Sequence, residues 1–354
     1  MSSSLIQLFE NRGVDLATRR EQIVALGLSQ TDTVRDALSA GCLLAWHGTR
    51  LRIDVTGRHR DRFIHNMTTC QIKSLEPGTG NFGMVVNDGG KLVAQFHVEC
   101  AEDRLVLDVA PDEADGMIAQ LKKYIIADDV KFAEPQDTDL LTLVGANADA
   151  LMERAGIECA NVSEQGWIDG SIAEKPCRVR RNSLRLGVSG WDVIVNHQDA
   201  ADIWTTLEGL GAVPAGFDAW ERCRIDYGWP ITGIDFGDEN IPLEADRLAA
   251  TIDWDKGCYI GQEVIAMMHY RGRPNKHLGK ITFATLPEGY EPGLTLTLAS
   301  GKTAGRLGSI IEQADGGVVG LAVVKRRHAD DGATLMAPCG TEGTFHRFPK
   351  YEVD

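Results

Sequence analysis

The spacing of short apolar segments changes at Lys276, and this change constrains the fold more than any other feature of the chain. Beyond it, apolar segments of a few residues recur at intervals of about 8–12 residues with glycine-rich turns between them, a pattern typical of a small barrel or sandwich. These segments are residues 280–283, 294–298, 308–311 and 318–324. The sequence therefore predicts a C-terminal all-β region over residues 276–354.

Before residue 276, strand patterns alternate with helix patterns. Residues 51–55 alternate apolar and charged side chains, and residues 84–98 contain the turn Asn-Asp-Gly-Gly, whose glycines adopt the positive φ of a tight hairpin. Pro111 begins a helix pattern, and Asn147 follows a strand pattern at a position from which it would cap the next helix. We expect an α+β fold with two packed lobes, about residues 41–139 and 140–275.

The first 40 residues carry a weaker pattern. Residues 1–30 are polar and only weakly periodic, which is typical of a peripheral helix pair or a loose arm. We therefore expect residues 1–40 to form a peripheral N-terminal segment in front of the two lobes.

Charge and cysteine usage limit the classes of function. The chain has 36 Lys and Arg against 51 Asp and Glu, a net charge of −15, which argues against broad nucleic-acid or membrane-surface binding. No apolar run reaches the ~18–20 residues that cross a bilayer, and the N-terminus lacks the pattern of a secretory signal. The nearest two of the eight cysteines are 18 residues apart. Reduced thiols and a cytoplasmic location are expected.

The densest polar pattern lies in residues 241–277. In the octapeptide KGCYIGQE (residues 256–263), two glycines flank Cys258 just before an apolar helix pattern. Cys258 is expected on a tight turn where backbone N–H groups and the helix dipole favour a thiolate, with Lys256 adding to that effect. Arg271 and Arg273 follow about one helix length later and are placed to hold an anion. The alternatives are a structural cysteine and solvated arginines.

Several other catalytic motifs are missing from the sequence. The nine histidines show no HxH or HExxH spacing, so no metal site is expected. No GxGxxG follows a strand pattern, and neither GxxxxGK[ST] nor GxSxG occurs. Dinucleotide-binding, P-loop and nucleophile-elbow functions are therefore not expected.

The octapeptide resembles the K-G-C-[FY]-x-G-Q-E signature of the YgfZ-like folate-binding proteins. These act in iron–sulfur protein maturation and are relatives of the glycine-cleavage aminomethyltransferase (T-protein). Residues 241–245, IPLEA, are similar to the P-x-E segment of that family, and residues 61–69, DRFIHNMTT, to its F-L-x-N-Q-T-T helix end. The resemblance covers roughly residues 43–345. It implies an aminomethyltransferase-like α+β fold with a C-terminal β-barrel and a central pocket.

The resemblance also implies a function. The chain would bind tetrahydrofolate or a related reduced folate and assist iron–sulfur cluster assembly or repair, with client proteins or assembly factors as partners. Cys258 would be the reactive thiolate and Lys256 would tune it, while Arg271 would anchor an anionic tail and Gln262 and Glu263 would shape the turn. The other candidate folate-binding residues are Asn66, Met84, Trp191 and Glu244.

Two departures from the family pattern leave alternatives open. In aminomethyltransferases an aspartate pair after Gly-Gly assists chemistry at the folate, whereas Val93 and Ala94 stand here and cannot accept a proton. Trp191 stands where the family has its pterin-binding glutamate, and it could stack on a flat ring or pack in a core. One alternative is a folate-dependent aminomethyl- or methyltransferase acting on a small amine or thioether. The other is a binding module without chemistry.

Overall fold

The computed structural model describes residues 2–313 and 316–349, and the chain divides into two compact units. Unit 1 comprises the described residues up to His65, then Gln71–Gly83 and Gln95–Cys223. Unit 2 comprises Asn66–Cys70, Met84–Ala94 and the described residues from Arg224 onward. The domain limits proposed from the sequence stay predictions. Among the described residues, the helices are too short or too polar to cross a lipid bilayer.

Helices and strands alternate up to Tyr227. The helices are α1 Ser4–Asn11, α2 Thr31–Ala40, α3 Arg60–Met67, α4 Pro111–Lys122, α5 Ala148–Arg154, α6 Ala200–Gly209 and α7 Phe217–Tyr227. The strands are β1 Leu16–Arg19, β2 Gln22–Ala25, β3 Leu43–Thr56, β4 Gly80–Val86, β5 Leu92–Cys100, β6 Leu105–Val109, β7 Lys131–Phe132, β8 Gln136–Val144, β9 Trp167–Ile172, β10 Lys175–Arg181, β11 Gly190–Val195 and β12 Val213–Ala215.

Ten of the described strands form one large sheet. Eight follow the order β4-β5-β6-β3-β8-β11-β10-β9, and β7 and β12 pair with β3. The register places Ile53 opposite Leu107 and Val55 opposite Leu105, so the apolar positions of β3 and β6 fall on the same face. The strand predicted over residues 51–55 and the hairpin predicted over residues 84–98 are both confirmed.

The N-terminal segment differs from its prediction. The described part of this segment, residues 2–30, forms neither a helix pair nor a loose arm, because α1 is followed by a hairpin of β1 and β2. Leu5 and Phe9 of α1 are wholly buried in a hydrophobic cluster that includes Trp191 and Trp204. Strands of four residues contain too few alternations to be recognised by periodicity, and the burial of α1 depends on residues far away in the sequence.

The prediction that Asn147 caps a helix is wrong in its chemistry. Asn147 occupies the N-cap position of α5 but makes no side-chain hydrogen bond to that helix. Its Nδ2 instead donates to the carbonyl oxygen of Ala40 at 2.9 Å, which ties α5 to the end of α2. The competing acceptor lies in another element, so local sequence could not identify it.

Unit 2 contains a closed barrel. After α7 come the 3₁₀ helix Pro242–Glu244, α8 Asp246–Ala249 and α9 Gln262–Tyr270. The barrel strands are β13 Lys276–Phe283, β14 Leu294–Thr297, β15 Thr303–Glu312, β16 Val318–Lys325, β17 Ala333–Met336 and β18 Glu342–Arg347, and a 3₁₀ helix covers Arg326–His328.

The barrel has the order β13-β16-β15-β14-β17-β18, and β18 pairs with β13 to close it. Ile281, Leu307 and Phe345 fill its core and are wholly buried. A Cβ at Gly279 would lie 2.2 Å from the Phe345 ring, so glycine is required where this ring packs. The barrel prediction is confirmed; β17 and β18 were missed because small and polar residues dominate them.

Candidate functional site

The octapeptide is a loop in unit 2 that leads into α9. Cys258 is exposed and lies four residues before Gln262, the first residue of α9. The tight turn expected at Cys258 is located at Gly261, which has a φ of 79° and is the N-cap of α9. A Cβ at Gly261 would lie 2.4 Å from the carbonyl oxygen of Asn87, so only glycine lets α9 begin against the hairpin turn.

Lys256 fastens the loop from inside. Its side chain is buried, and its ammonium group donates hydrogen bonds to the carbonyl oxygens of Thr68 and, at 2.7 Å, Cys70. Burial raises the pKa of the Cys70 thiol to about 11, and the positive charge of Lys256 opposes that rise only in part. Lys256 therefore has a structural task, while its predicted effect on Cys258 stays a prediction.

Backbone hydrogen bonds reinforce the same attachment. The Asp253 N–H donates to the carbonyl oxygen of Thr69 at 3.1 Å, and the Ile260 N–H donates to that of Asn66 at 3.0 Å. The loop is thus bound to residues 66–70 on both sides of Cys258. An exposed thiol is presented on a backbone that has little freedom to move.

The other predicted residues of unit 2 have different surroundings. Met84 is wholly buried, and its N–H donates to the Thr69 hydroxyl at 3.0 Å. Glu244 is buried, accepts a hydrogen bond from Asn240 at 2.7 Å, and burial raises the pKa of its carboxyl group.

Two predicted residues of α9 and the residue that ends it lie nearer to solvent. The Gln262 side chain accepts a hydrogen bond from the Tyr259 N–H at 3.4 Å, whereas Glu263 and Arg271 are exposed. Met84, Lys256 and the backbone on both sides of Cys258 are thus hydrogen-bonded to residues 66–70, which include Asn66. Among the described residues, no hydrogen bond connects Glu263 or Arg271 to residues 66–70.

Trp191 belongs to unit 1 and is a core residue. Its side chain is wholly buried in the hydrophobic cluster, its indole N–H donates to Asp149 at 2.7 Å, and the Arg181 guanidinium lies 4.5 Å from its ring centroid. Of the two roles left open by the sequence, the structure favours packing over stacking on a flat ligand. In β5, Ala94 is also buried and Val93 is half-buried.

Sequence reasoning missed a charged cluster inside unit 1. Arg180 is wholly buried and donates to Asp108 at 2.8 Å, to Asp192 at 2.7 Å and to Glu99 at 3.3 Å. Burial raises the pKa of both aspartates, but the neighbouring arginines outweigh it and hold each pKa well below its usual range. Both aspartates are therefore ionised and paired with arginine near neutral pH, and neither has a proton to donate as a general acid.

A weak sequence signal for this cluster exists. Asp108 and Asp192 interrupt otherwise apolar strands. Arg180 lies two residues after Arg178 in β10, so both arginines are on the same face of that strand. The register places Arg180 opposite Asp192, and His97 opposite Asp108. Burial lowers the pKa of His97 well below its usual value, so its imidazole is neutral beside Gln165, 2.8 Å away.

Comparison with known proteins identifies what the chain is similar to. Residues 47–256 match the family described as GCVT N-terminal domain. A chloroplastic protein of Arabidopsis thaliana, provisionally named a transferase, is 31% identical over 334 residues, which cover 93% of this chain and 76% of that protein. An aminomethyltransferase of Thermosynechococcus vestitus is 22% identical over 219 residues, 61% of this chain and 59% of that relative.

A solved structure has a similar fold over nearly the whole length of this chain. The glycine cleavage system aminomethyltransferase T from Bartonella henselae has a TM-score of 0.80 at 18% sequence identity, covering 99% of this chain and 98% of that chain. The predicted fold class is therefore confirmed. It is an α+β, aminomethyltransferase-like fold with a closed C-terminal barrel.

Proposed function

Because the chain belongs to the family of the GCVT N-terminal domain, we propose that it is a folate-binding-type protein that assists iron–sulfur cluster assembly or repair in client enzymes. The octapeptide at residues 256–263 supports the narrower relationship to the YgfZ-like proteins. The observation that carries the proposal is the exposed thiol of Cys258 on a loop fastened by the buried Lys256. The proposed location is the cytoplasm.

Cys258 is suited to contact with a protein-bound cluster. The described residues include all eight cysteines, and of these Cys258 and Cys339 are exposed. The Cys258 thiol would lose its proton to solvent and coordinate one iron atom of the client's cluster. One thiolate supplies one ligand, so the client, an assembly factor or glutathione supplies the others.

Reduced folate fits poorly at the family's pterin-binding glutamate position and at its aspartate pair in this chain. Trp191 is enclosed in the core and bonded to Asp149, and Val93 and Ala94 have no group that accepts a proton. No chemical step of the proposal therefore uses folate. Asn66, Met84, Glu244 and Arg271 are the residues proposed to contact a tetrahydrofolate, and slower alkylation of Cys258 in its presence would support such binding.

A cellular experiment tests the proposal. In cells lacking this protein, we expect the Cys258→Ala variant to fold normally and to leave cluster-containing enzymes with reduced activity. The matched control is Cys339→Ala, which removes the other exposed thiol and should restore full activity. Full restoration by Cys258→Ala would contradict the proposal and favour a binding module without chemistry.

One further candidate is a folate-dependent transferase acting on a small amine or thioether, and the name of the Arabidopsis relative favours a transferase. Val93 and Ala94 count against the family's aminomethyl transfer, since neither can accept a proton. The test is turnover of a tetrahydrofolate carrying a one-carbon group in the presence of candidate amines. Transfer by the wild-type chain that is lost in Cys258→Ala would favour this second function.

A further inference from the structure

Unit 2 contains a cavity of about 240 Å³ that the proposed function does not use. It is lined by residues of the segment 233–240 and of the barrel strands β15 and β16, together with Lys276 and Gly293. Five of its fifteen lining residues are glycines, at positions 233, 237, 293, 305 and 308. Backbone therefore forms much of the wall, and the few long side chains determine its chemistry.

The long polar side chains of the cavity are mainly cationic. Lys276, Arg306 and Lys325 line it, and the carboxylates among the lining residues are Asp235 and Glu239. Asp235 is buried and paired with Arg224 at 2.9 Å, so its charge is balanced from outside the cavity lining. Three cations and the one remaining carboxylate, that of Glu239, therefore line the cavity, in a chain whose net charge is −15. Lys276 and Arg306 pair with Glu239, whereas the Lys325 ammonium donates to the carbonyl oxygen of Thr303 at 3.1 Å.

Positive charge extends beyond the cavity along the end of β16. Residues 325–328 read Lys-Arg-Arg-His. Loss of hydration lowers the pKa of His328, and the charges of Arg327, Lys302 and Lys325 lower it further. Arg327, Lys302 and Lys325 are thus close enough to His328 to act on it, in a chain whose net charge is negative.

Glu239 shows how an anion is held in this cavity. Its carboxylate lies 3.2 Å from the Lys276 ammonium and 2.5 Å from the Arg306 guanidinium, yet 44% of its side chain is exposed. Its own backbone carbonyl accepts a hydrogen bond from Lys91 at 2.8 Å. The backbone is therefore anchored, while the carboxylate is partly exposed, so an anion from solvent can reach the two cations that hold it.

We propose that this cavity binds a small anion with two or more carboxylate or phosphate groups, one of which replaces the Glu239 carboxylate on Arg306 and Lys276. A second anionic group of the ligand would meet Lys325. Arginine binds carboxylate and phosphate through the same paired N–H donors, so both chemistries suit the cavity. The inference does not depend on the function proposed for Cys258.

The test is titration calorimetry of the full chain with citrate and with pyrophosphate at low ionic strength. We expect Arg306→Ala and Lys276→Ala each to weaken binding about tenfold, because each removes a charge-assisted hydrogen bond. Glu239→Gln should strengthen binding several-fold, since it removes the competing carboxylate and leaves both cations in place. The matched control is Arg104→Ala in unit 1, which removes a cation that pairs with Asp54 at 3.1 Å.

The opposite effects at Arg306 and Glu239 make the test specific. Binding of either anion with these effects supports the proposal, and the anion that binds more tightly identifies a carboxylate or a phosphate ligand. Equal weakening by Arg306→Ala and Arg104→Ala would show general attraction to positive charge and overturn it. The proposal would also be overturned if a folded Glu239→Gln variant bound neither anion at millimolar concentration.

Discussion

Charged side chains are used differently in the interior of unit 1 and at the cavity of unit 2. In unit 1, Arg180 and its three carboxylate partners are wholly buried. In unit 2, Glu239 and its partners Lys276 and Arg306 keep between 25% and 55% of their side chains exposed. The same kinds of ion pair therefore have different consequences, because water is a competing partner only in the second.

The energies expected for the two regions follow from this difference. Removing one member of a buried ion pair leaves an unpaired charge in a medium that solvates it poorly, at a cost of about 3–5 kcal/mol. An exposed pair contributes about 0–1 kcal/mol, since each ion regains water when its partner leaves. The buried cluster is thus a structural element, and the exposed pair is one that a ligand can exchange.

The largest effect is expected from breaking the buried cluster. Arg180→Met should lower the free energy of unfolding by about 3–5 kcal/mol, because Asp108, Asp192 and Glu99 lose a shared cation. Urea denaturation measures it. Arg12→Met is the control, since the Arg12–Glu208 pair is about one-third exposed and its loss should cost less than about 1 kcal/mol. Similar losses in both variants would remove the distinction between the two regions.

The buried carboxyl group of Glu113 in unit 1 makes the stability of the protein depend on pH. Glu113 accepts a hydrogen bond from the Gln95 N–H at 2.7 Å, and burial raises its pKa from 4.5 to about 7. The folded state therefore prefers the protonated form. This contribution to stability is complete below pH 4.5 and is lost, by up to about 3 kcal/mol, as the pH rises to about 7.

The Glu113→Gln variant tests this pH dependence. Its stability relative to the wild type should rise between pH 5 and pH 7, since glutamine does not ionise. Urea denaturation at several pH values measures the difference. Glu239→Gln is expected to show a smaller effect of opposite sign in acid, because hydrogen bonds from Arg306 and Lys276 outweigh partial burial and lower the pKa of Glu239. A constant difference between Glu113→Gln and wild type would contradict the assignment.

An intermediate effect is expected at the loop that carries Cys258. Lys256→Met removes the hydrogen bonds to Thr68 and Cys70 and should lower the free energy of unfolding by about 1–3 kcal/mol. It should also increase proteolytic cleavage of the loop at residues 254–260. The control is Lys280→Met, whose pair with Asp226 is about one-third exposed and should contribute less than about 1 kcal/mol. Equal losses would mean that Lys256 does not fasten the loop.

The smallest effect on stability is expected at Cys258 itself. Cys258→Ser should change the free energy of unfolding by less than about 0.5 kcal/mol, because the thiol is exposed. Cys70→Ser, at a buried position, should cost about 1–3 kcal/mol, since it places a hydroxyl group where a thiol of raised pKa now packs. Thermal unfolding of the two variants compares them directly. A large loss in Cys258→Ser would indicate a structural thiol.

Much of the fold and part of the site were predictable from local sequence. The alternation in residues 51–55, the Asn-Asp-Gly-Gly turn and the short strands after residue 276 each depend on a few neighbouring residues, and each prediction is confirmed. The octapeptide is likewise a local pattern, and Gly261 has the left-handed conformation that explains its glycine.

The remaining features depend on residues that meet only after folding. Arg180 and Glu99 are 81 positions apart, and Lys256 and Cys70 are 186 positions apart, so neither partnership is visible as a sequence pattern. The burial of α1 and of Trp191 has the same origin. Sequence by itself determined the periodicity and the turns, because these follow from the backbone of adjacent residues. Tertiary structure alone decided which charges are buried in pairs and which line a cavity, because solvent exposure depends on the packing of distant segments.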